Sequence, residues 1–116
     1  MRLLSHRVLR VAQAVKQELA ELIQRELSDP RLSFTTVVSV EISHDSRYCR
    51  VYLSVPGSPE EQKDALMVLE KTKSFLRGEI GRRLGLKFAP EIAFKLDRSI
   101  EHGARIGKLL NEIRKG

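Results

Sequence analysis

The chain has 116 residues, 41% hydrophobic and 31% charged, enough for one domain with a single core and no need of disulfide staples. No apolar run reaches the length of a membrane-spanning helix, and the opening MRLLSHRVLR has no apolar core of a secretion signal. One cysteine, Cys49, excludes an internal disulfide, and a net charge of +6 with a pI near 9.8 points to a reducing cytoplasm and a polyanionic partner rather than a membrane.

From His6 to Leu27 the apolar residues Val8, Val11, Ala12, Val15, Leu19, Leu22, Ile23 and Leu27 recur at intervals of three and four. That spacing predicts one amphipathic helix. Ser28-Asp29-Pro30 ends it, because the residue before a proline is pushed out of helical geometry. The charges of its first half are all basic (Arg7, Arg10, Lys16), and the acids Glu18, Glu21 and Glu26 follow. A helix dipole prefers the reverse order, so some other demand is expected to set it, an anionic partner being one.

Two segments of period two come next. Val38, Val40 and Ile42 are expected on one face of a strand, with Val37, Ser39 and Glu41 on the other. Ser43-His44-Asp45-Ser46 reads as a turn, after which Cys49, Val51, Leu53 and Val55 alternate with Tyr48, Arg50, Tyr52 and Ser54. An antiparallel hairpin with one buried and one solvated face accounts for this pattern. Pro56-Gly57-Ser58-Pro59 closes the second strand, and Ser58 or Pro59 opens a helix whose first turn holds Glu60, Glu61 and Asp64, the end a helix dipole favours for acids.

Leu66, Leu69, Thr72, Leu76, Ile80 and Leu84 stay in helical phase, so periodicity alone permits a single helix from Glu60 to about Leu84. At ~1.5 Å per residue it would be nearly 40 Å long, more than a small domain covers. A break between Thr72 and Ser74 would give two helices of ordinary length and turn Phe75 inward. Gly85 ends the second helix. Pro90 leads into a third strand, with Ile92, Phe94 and Leu96 facing one way and Glu91, Ala93, Lys95 and Asp97 the other. Ser99 to Gly103 reads as a loop and Ala104 to Ile113 as a short final helix. The expected organisation is a domain over residues 1–98 followed by a tail, 99–116, whose order in the free protein stays open. Its fold class is α+β, with helices on one face of a three-stranded sheet.

Charge is spread unevenly along this frame. Between Lys71 and Lys87 stand Lys71, Lys73, Arg77, Arg82, Arg83 and Lys87 against the single acid Glu79, a local excess of +5 out of +6. A solvated helix face mixes signs, whereas segregation of this kind suits a phosphate backbone. These six bases are the candidate RNA contacts, and Arg7, Arg10 and Lys16 extend the surface if the first helix lies alongside. Engaging ~6 phosphates would give a log-affinity slope against log salt of about −4 to −5, with few residues placed to read base edges.

Other signals carry less. Gly78-Glu79-Ile80-Gly81 has the G-x-x-G spacing with which ordinary K-homology domains clamp a nucleotide backbone. Read as a clamp, it would leave the following helix too short to pack, so both glycines are expected inside a helix at a cost of about 1 kcal/mol each. Tyr48 and Tyr52, with Arg50 between them, suit base stacking or ordinary cross-strand packing. His6, His44 and His102 lack metal-ligand spacing, Cys49 falls on the buried face, and no close carboxylate pair suggests acid–base work. No metal, cofactor or enzymatic activity is expected.

The order helix, strand, strand, helix, break, helix, strand resembles the type II K-homology fold, in which single-stranded nucleic acid lies beside the junction of two helices. Val11-Ala12-Gln13, Glu18-Leu19, Asp29-Pro30-Arg31-Leu32, Val51-Tyr52, Gly103-Ala104-Arg105-Ile106 and Lys108-Leu109-Leu110 together resemble the ribosome-binding factor A family. The likeness covers essentially the whole chain, and the Asp-Pro-Arg-Leu after an amphipathic helix is its most specific piece. It implies a non-enzymatic bacterial factor that binds the free small ribosomal subunit and its 16S rRNA. Such a factor assists late maturation and pre-rRNA processing, notably in the cold, and the likeness also suggests release by an assembly GTPase. It further implies a kink where the family has Ala-x-Gly; here Thr72-Lys73-Ser74 stand there, whose hydroxyls can support an interruption through bonds to the backbone. The expected mechanism is occupancy: a monomer holds immature RNA in one arrangement and leaves when maturation completes. A basic protein-interaction module and a generic RNA-binding K-homology-like protein remain the alternative readings.

Overall fold

The computed structural model describes residues 6–97. The first amphipathic stretch forms α1, His6–Glu21, which buries Val8, Ala12, Val15 and Leu19. Its pitch then widens into π-helical turns over Leu22–Leu27 that still carry Leu22 and Ile23 into the core. Ser28 ends them in the left-handed region (φ 45°), its hydroxyl donating to the Arg25 carbonyl at 2.7 Å. In Asp29-Pro30-Arg31-Leu32 the Asp29 carboxylate caps a 3-10 turn by accepting from the Arg31 backbone N–H at 2.9 Å. Leu32 is fully buried behind this turn, and Gln24 Nε2 donates to the carbonyls of Leu32 (3.2 Å) and Thr35 (2.8 Å). The most specific motif of the sequence is thus a fastened corner that turns the chain from helix into sheet.

Strands β1, Thr36–Ile42, and β2, Tyr48–Ser54, pair antiparallel, and β3, Glu91–Leu96, lies parallel to β2, in the order β1-β2-β3. Strand β2 alternates as its sequence suggests, with Cys49, Val51 and Leu53 buried and Val55 buried just beyond its end. Strand β1 departs from strict alternation. Its register steps from Val37 opposite Leu53 to Ser39 opposite Tyr52, so Val38 is the extra residue of a β-bulge. Val37 therefore faces the core, Val38 is half-buried, and Val40 and Ile42 resume the inward phase. The expected grouping of Val38 with the inward residues is corrected here, because a period of two cannot reveal an inserted residue.

Ser58 caps α2, Pro59–Lys71, through a reciprocal box in which the Glu61 N–H donates to Ser58 Oγ and the Ser58 N–H to Glu61 Oε1, both at 3.1 Å. Helix α2 buries Ala65, Val68 and Leu69, and α3, Lys73–Arg83, buries Leu76 and Ile80. Between them Thr72 adopts φ −98°, ψ 5°, and its Oγ1 donates to the carbonyls of Val68 at 2.8 Å and Leu69 at 3.3 Å. Back-bonding of this kind bends a helix. The chain is not opened, since the Thr72 N–H reaches the Val68 carbonyl and the Leu76 N–H reaches the Thr72 carbonyl, each at 3.0 Å. Phe75 is not turned inward as expected. It stays 46% exposed, because an interruption one residue wide leaves Leu76 and Ile80 as the inward positions.

Gly78 and Gly81 lie inside α3, so this G-x-x-G is helix rather than clamp. The two positions differ in surroundings. A Cβ at Gly78 would meet nothing within 4 Å, whereas one at Gly81 would stand 3.3 Å from Ala89 Cα. Gly81 thereby lets α3 press against the segment that leads into β3. Gly85 ends the helix at φ 61°, with the Leu86 N–H bonded to the Gly81 carbonyl (2.9 Å) and the Gly85 N–H to the Arg82 carbonyl (3.3 Å). This is the Schellman arrangement that a left-handed glycine permits.

The helices cover one face of the sheet, where Val15, Leu19, Leu69, Leu76 and Ile80 meet Val51, Leu53, Ile92 and Phe94 in one core. The other face exposes Glu41, Tyr48, Arg50 and Lys95. The expected tail helix at 104–113, and the division between 1–98 and 99–116, fall outside the described residues.

Two expectations follow from this packing. Gly78→Ala should raise stability by about 0.5–1 kcal/mol, since alanine costs no contact there and restricts the unfolded chain, while Gly81→Val should lower it through the clash with Ala89. Chemical denaturation of both variants checks the contrast, and equal effects would mean that α3 does not press on Ala89. Burial pushes the Cys49 thiol up to about 12, which keeps it protonated in the folded state. Alkylation by iodoacetamide at about pH 8, near the ordinary thiol range, should therefore proceed only as fast as the domain opens; rapid labelling of native protein would contradict the buried placement.

Candidate nucleic-acid interface

The basic run follows α3 from end to end, so its six cations do not form one patch. Lys71 and Lys73 flank the bend, while Arg83 stands ten residues on, about 15 Å away by helical rise. What each cation touches then decides what it can offer a ligand.

Arg83 is a cross-link. Its Nη1 lies 3.2 Å from Glu18 Oε2, and its Nη2 lies 2.9 Å from Glu26 Oε1 and 3.3 Å from Glu79 Oε1. Hydrogen bonds to Glu26 and Glu18, then Glu79, raise its pKa above the ordinary arginine value. The contact ties α3 to α1 and its π-helical extension. It also accounts for acids late in α1 and in its extension, since Glu18 and Glu26 stand where Arg83 meets them. An anionic partner is not needed to explain their place.

Arg77 is turned inward as well. Its Nε donates to the Pro90 carbonyl at 2.8 Å and its Nη2 to the Ala89 carbonyl at 3.3 Å, and it pairs with Glu91 at 3.2 Å. This side chain pins the segment that enters β3. Arg82 stays largely exposed and pairs with Glu79 one turn back at 2.8 Å. Chiefly through that bond, and further through Arg83, the Glu79 carboxyl is held below its usual value of 4.5. Lys73 pairs with Glu70 at 2.7 Å and lies 5.6 Å from the Phe94 ring centroid.

The remaining candidates face solvent. Lys71, Arg7 and Arg10 are exposed and Lys16 is half-buried, and among the described residues none of them makes an ion pair or side-chain hydrogen bond. Lys87 is exposed, its Nζ 5.5 Å from the Phe88 ring centroid. On the open sheet face Arg50 donates to Tyr52 Oη at 3.3 Å and pairs at 3.5 Å with Glu41, its partner in the register. The middle of that face is occupied by its own polar contacts.

One cation lay outside the sequence reading. The Arg47 guanidinium carbon stands 4.5 Å from the Phe88 ring centroid. The two residues are far apart in the chain, and the parallel β2–β3 ladder brings them together through a 2.7 Å bond from the Glu91 N–H to the Arg47 carbonyl. No local pattern signals such a contact. Among the described residues, no three His, Cys, Asp or Glu side chains converge as a metal site would require.

A bent helix pair over a mixed three-stranded sheet, with solvent-facing bases at the bend and on α1, defines an α+β domain of the type II K-homology kind. A family model described as ribosome-binding factor A matches residues 7–110. Ribosome-binding factor A of Desulforamulus reducens is 44% identical over 110 residues, covering 95% of this chain and 92% of the relative. The crystal structure of ribosome-binding factor A from Thermus thermophilus superposes with a TM-score of 0.70 at 30% identity, covering 79% of this chain and 98% of that one. A Thermus thermophilus ribosome binding factor A model fitted into a cryo-electron microscopy map of a 30S complex gives 0.63 at 32% identity, covering 75% of this chain and 91% of that one. The chain belongs to the ribosome-binding factor A family.

Arg83→Met should lower the melting temperature, because it leaves Glu18, Glu26 and Glu79 facing one another, whereas Arg82→Met should leave it nearly unchanged. A carboxylate with a depressed pKa contributes stability above its unfolded value and loses it as the pH falls through the folded value. Because Arg83 supplies part of what holds Glu79 down, part of the Arg83→Met deficit should be present above the usual glutamate value of 4.5 and shrink below it. Thermal melts between about pH 3 and pH 8 check this, and a pH-independent deficit would remove the ionic account.

Proposed function

We propose that this protein binds the small ribosomal subunit through its RNA and acts as an assembly factor in late maturation. The observation that carries this reading is the likeness of almost the whole described fold to ribosome-binding factor A, including the factor fitted into a map of a 30S complex. In this reading the free subunit is preferred to the complete ribosome, and 16S rRNA maturation and pre-rRNA processing are assisted. The need is greatest in the cold, when misarranged RNA escapes its traps slowly. The protein performs no covalent chemistry and needs no cofactor. It works by occupancy, as a cytoplasmic monomer, and an assembly GTPase removes it. RNA binding belongs to residues 1–98, with 99–116 as an appended segment.

The charge geometry supports a division of labour. Lys71, Lys87, Arg7, Arg10 and Lys16 meet phosphates directly. Lys73 and Arg82 exchange a surface carboxylate for a phosphate at little cost, because exposed ion pairs are weak in water. Arg77 and Arg83 serve the surface indirectly, by holding α3 against β3 and α1. The bend over Thr72, Lys73 and Ser74 sets the angle at which the two helix ends present their lysines.

Co-sedimentation with free small subunits, large subunits and complete ribosomes across a salt series tests this function. The expected result is preference for free small subunits, weakening with a log–log slope of about −3 to −4.5 if four or five phosphates are engaged. Charge reversal at Lys71 or at Arg10 should each reduce the slope by about one without altering the melting temperature. Equal binding to every particle would reduce the surface to generic polyanion attraction. Binding to none, with nuclease-resistant capture by acidic proteins, would replace this function by protein interaction.

A further inference from the structure

The phosphate surface leaves the exposed rings of Phe34, Tyr48, Phe75 and Phe88 unused, and among them Phe88 is the one with cations over it. Phe88, between α3 and β3, is 45% exposed, although the core lies close by in the chain at Pro90 and Ile92. Arg47 and Lys87 approach its ring centroid to 4.5 and 5.5 Å.

The segments that carry this cluster are fastened on both sides. Arg77 holds the Ala89 and Pro90 carbonyls, and the Schellman turn at Gly85 closes the other end of the loop. In the hairpin turn Ser43 Oγ donates to Asp45 Oδ1 at 2.7 Å, and the Arg47 N–H donates to the same oxygen at 3.1 Å. The Tyr48 N–H donates to Ser43 Oγ at 3.1 Å, and the Glu91 N–H bonds the Arg47 carbonyl and joins the turn to the loop. An exposed aromatic ring with mobile cationic side chains over it, on a backbone fastened at both ends, meets the requirements of a base-stacking position on a single strand.

The nearby carboxylates take up little of this charge. Glu91 pairs with Arg77, and Asp45 Oδ1 is engaged by Ser43 and the Arg47 backbone. Asp45 Oδ2 makes a long, exposed pair with Arg47 Nε at 3.9 Å, a kind that is weak in water, and Lys87 makes no ion pair among the described residues. Tyr48, 63% exposed, follows Arg47 and lies opposite Glu91 in the register, so a second ring stands next to Arg47 in the chain.

We propose that Phe88 receives one unpaired nucleobase of the bound RNA, stacked on its ring in place of the Arg47 guanidinium, while Arg47 and Lys87 swing to hold the flanking phosphates. This inference rests on the proposed function and deepens it: the RNA at this point is single-stranded, whereas the lysines at the bend ask only for a phosphate backbone. A flat, charged partner distinguishes RNA from an acidic peptide, which would use the cations and leave the ring idle.

The chain contains no tryptophan, so Phe88→Trp creates a single fluorescent reporter at the site. The full chain is titrated with a single-stranded ribo-oligonucleotide of about ten nucleotides, with an RNA duplex of equal length, and with inorganic polyphosphate. Quenching by the single strand, and little by duplex or polyphosphate, is expected. Phe88→Ala should weaken single-strand binding about tenfold, while Phe88→Tyr should retain it; Phe88→Leu, which keeps the apolar bulk, should match Phe88→Ala. An unquenched tryptophan, equal quenching by duplex, or equal affinity of Phe88→Ala and the parent would overturn the inference. Sedimentation of the parent with small subunits separates the two claims. If it persists while the tryptophan stays dark, only stacking falls; if it fails, the assembly function falls and the oligonucleotide titration alone judges the ring.

Discussion

Strand β3 runs parallel to β2, and the chain that joins them must therefore return along the sheet before it can pair. Parallel neighbours start at the same end, so a hairpin cannot connect them and a covering crossover is required. A seven-residue strand spans about 23 Å, whereas an unbroken helix over residues 59–83 would span about 38 Å. The bend at Thr72 resolves that mismatch. Gly81 allows the close approach of α3 to Ala89, Gly85 turns the chain, and Arg77 holds the Ala89 and Pro90 carbonyls so that Glu91 enters in register. Four residues of three kinds answer to one pairing.

The same pairing divides the positive charge. A run of cations along one helix has to serve both the face that packs and the face that stays wet. Arg77 and Arg83 fall on the packed side, where backbone carbonyls and the carboxylates of Glu18, Glu26, Glu79 and Glu91 take up their donors. Lys71, Lys87 and the α1 bases are left to solvent. Net charge from composition therefore overstates what the α3 run can place on a phosphate backbone, since the arginines on the packed side are already satisfied. Under the proposed function the residues that would meet RNA are therefore different from those a simple count suggests.

Much of the frame is legible in the local sequence. The amphipathic stripe of α1, the alternation of β2 and the Gly85 stop appear where local pattern places them, because each depends on neighbours three, four or two residues away. The hidden features share a non-local cause. Val38 becomes a bulge only when β1 is laid against Tyr52 and Leu53. Phe75 stays in solvent although the break suggested otherwise, because one distorted residue does not rotate the following stripe. The acids Glu18 and Glu26, unfavourable for the helix dipole, are matched by Arg83 from α3.

By itself, the sequence determined the order of the helices and strands among the described residues, the core-facing residues of β2, the α+β class and the likeness to ribosome-binding factor A, since hydrophobic period and turn chemistry are written locally. Only the tertiary structure decided which bases are spent on packing, where β1 slips its register, and that Arg47 meets Phe88. Those outcomes depend on which segments face each other across the sheet, and a guanidinium has the same formula whether it meets a carboxylate of its own chain or a phosphate of another.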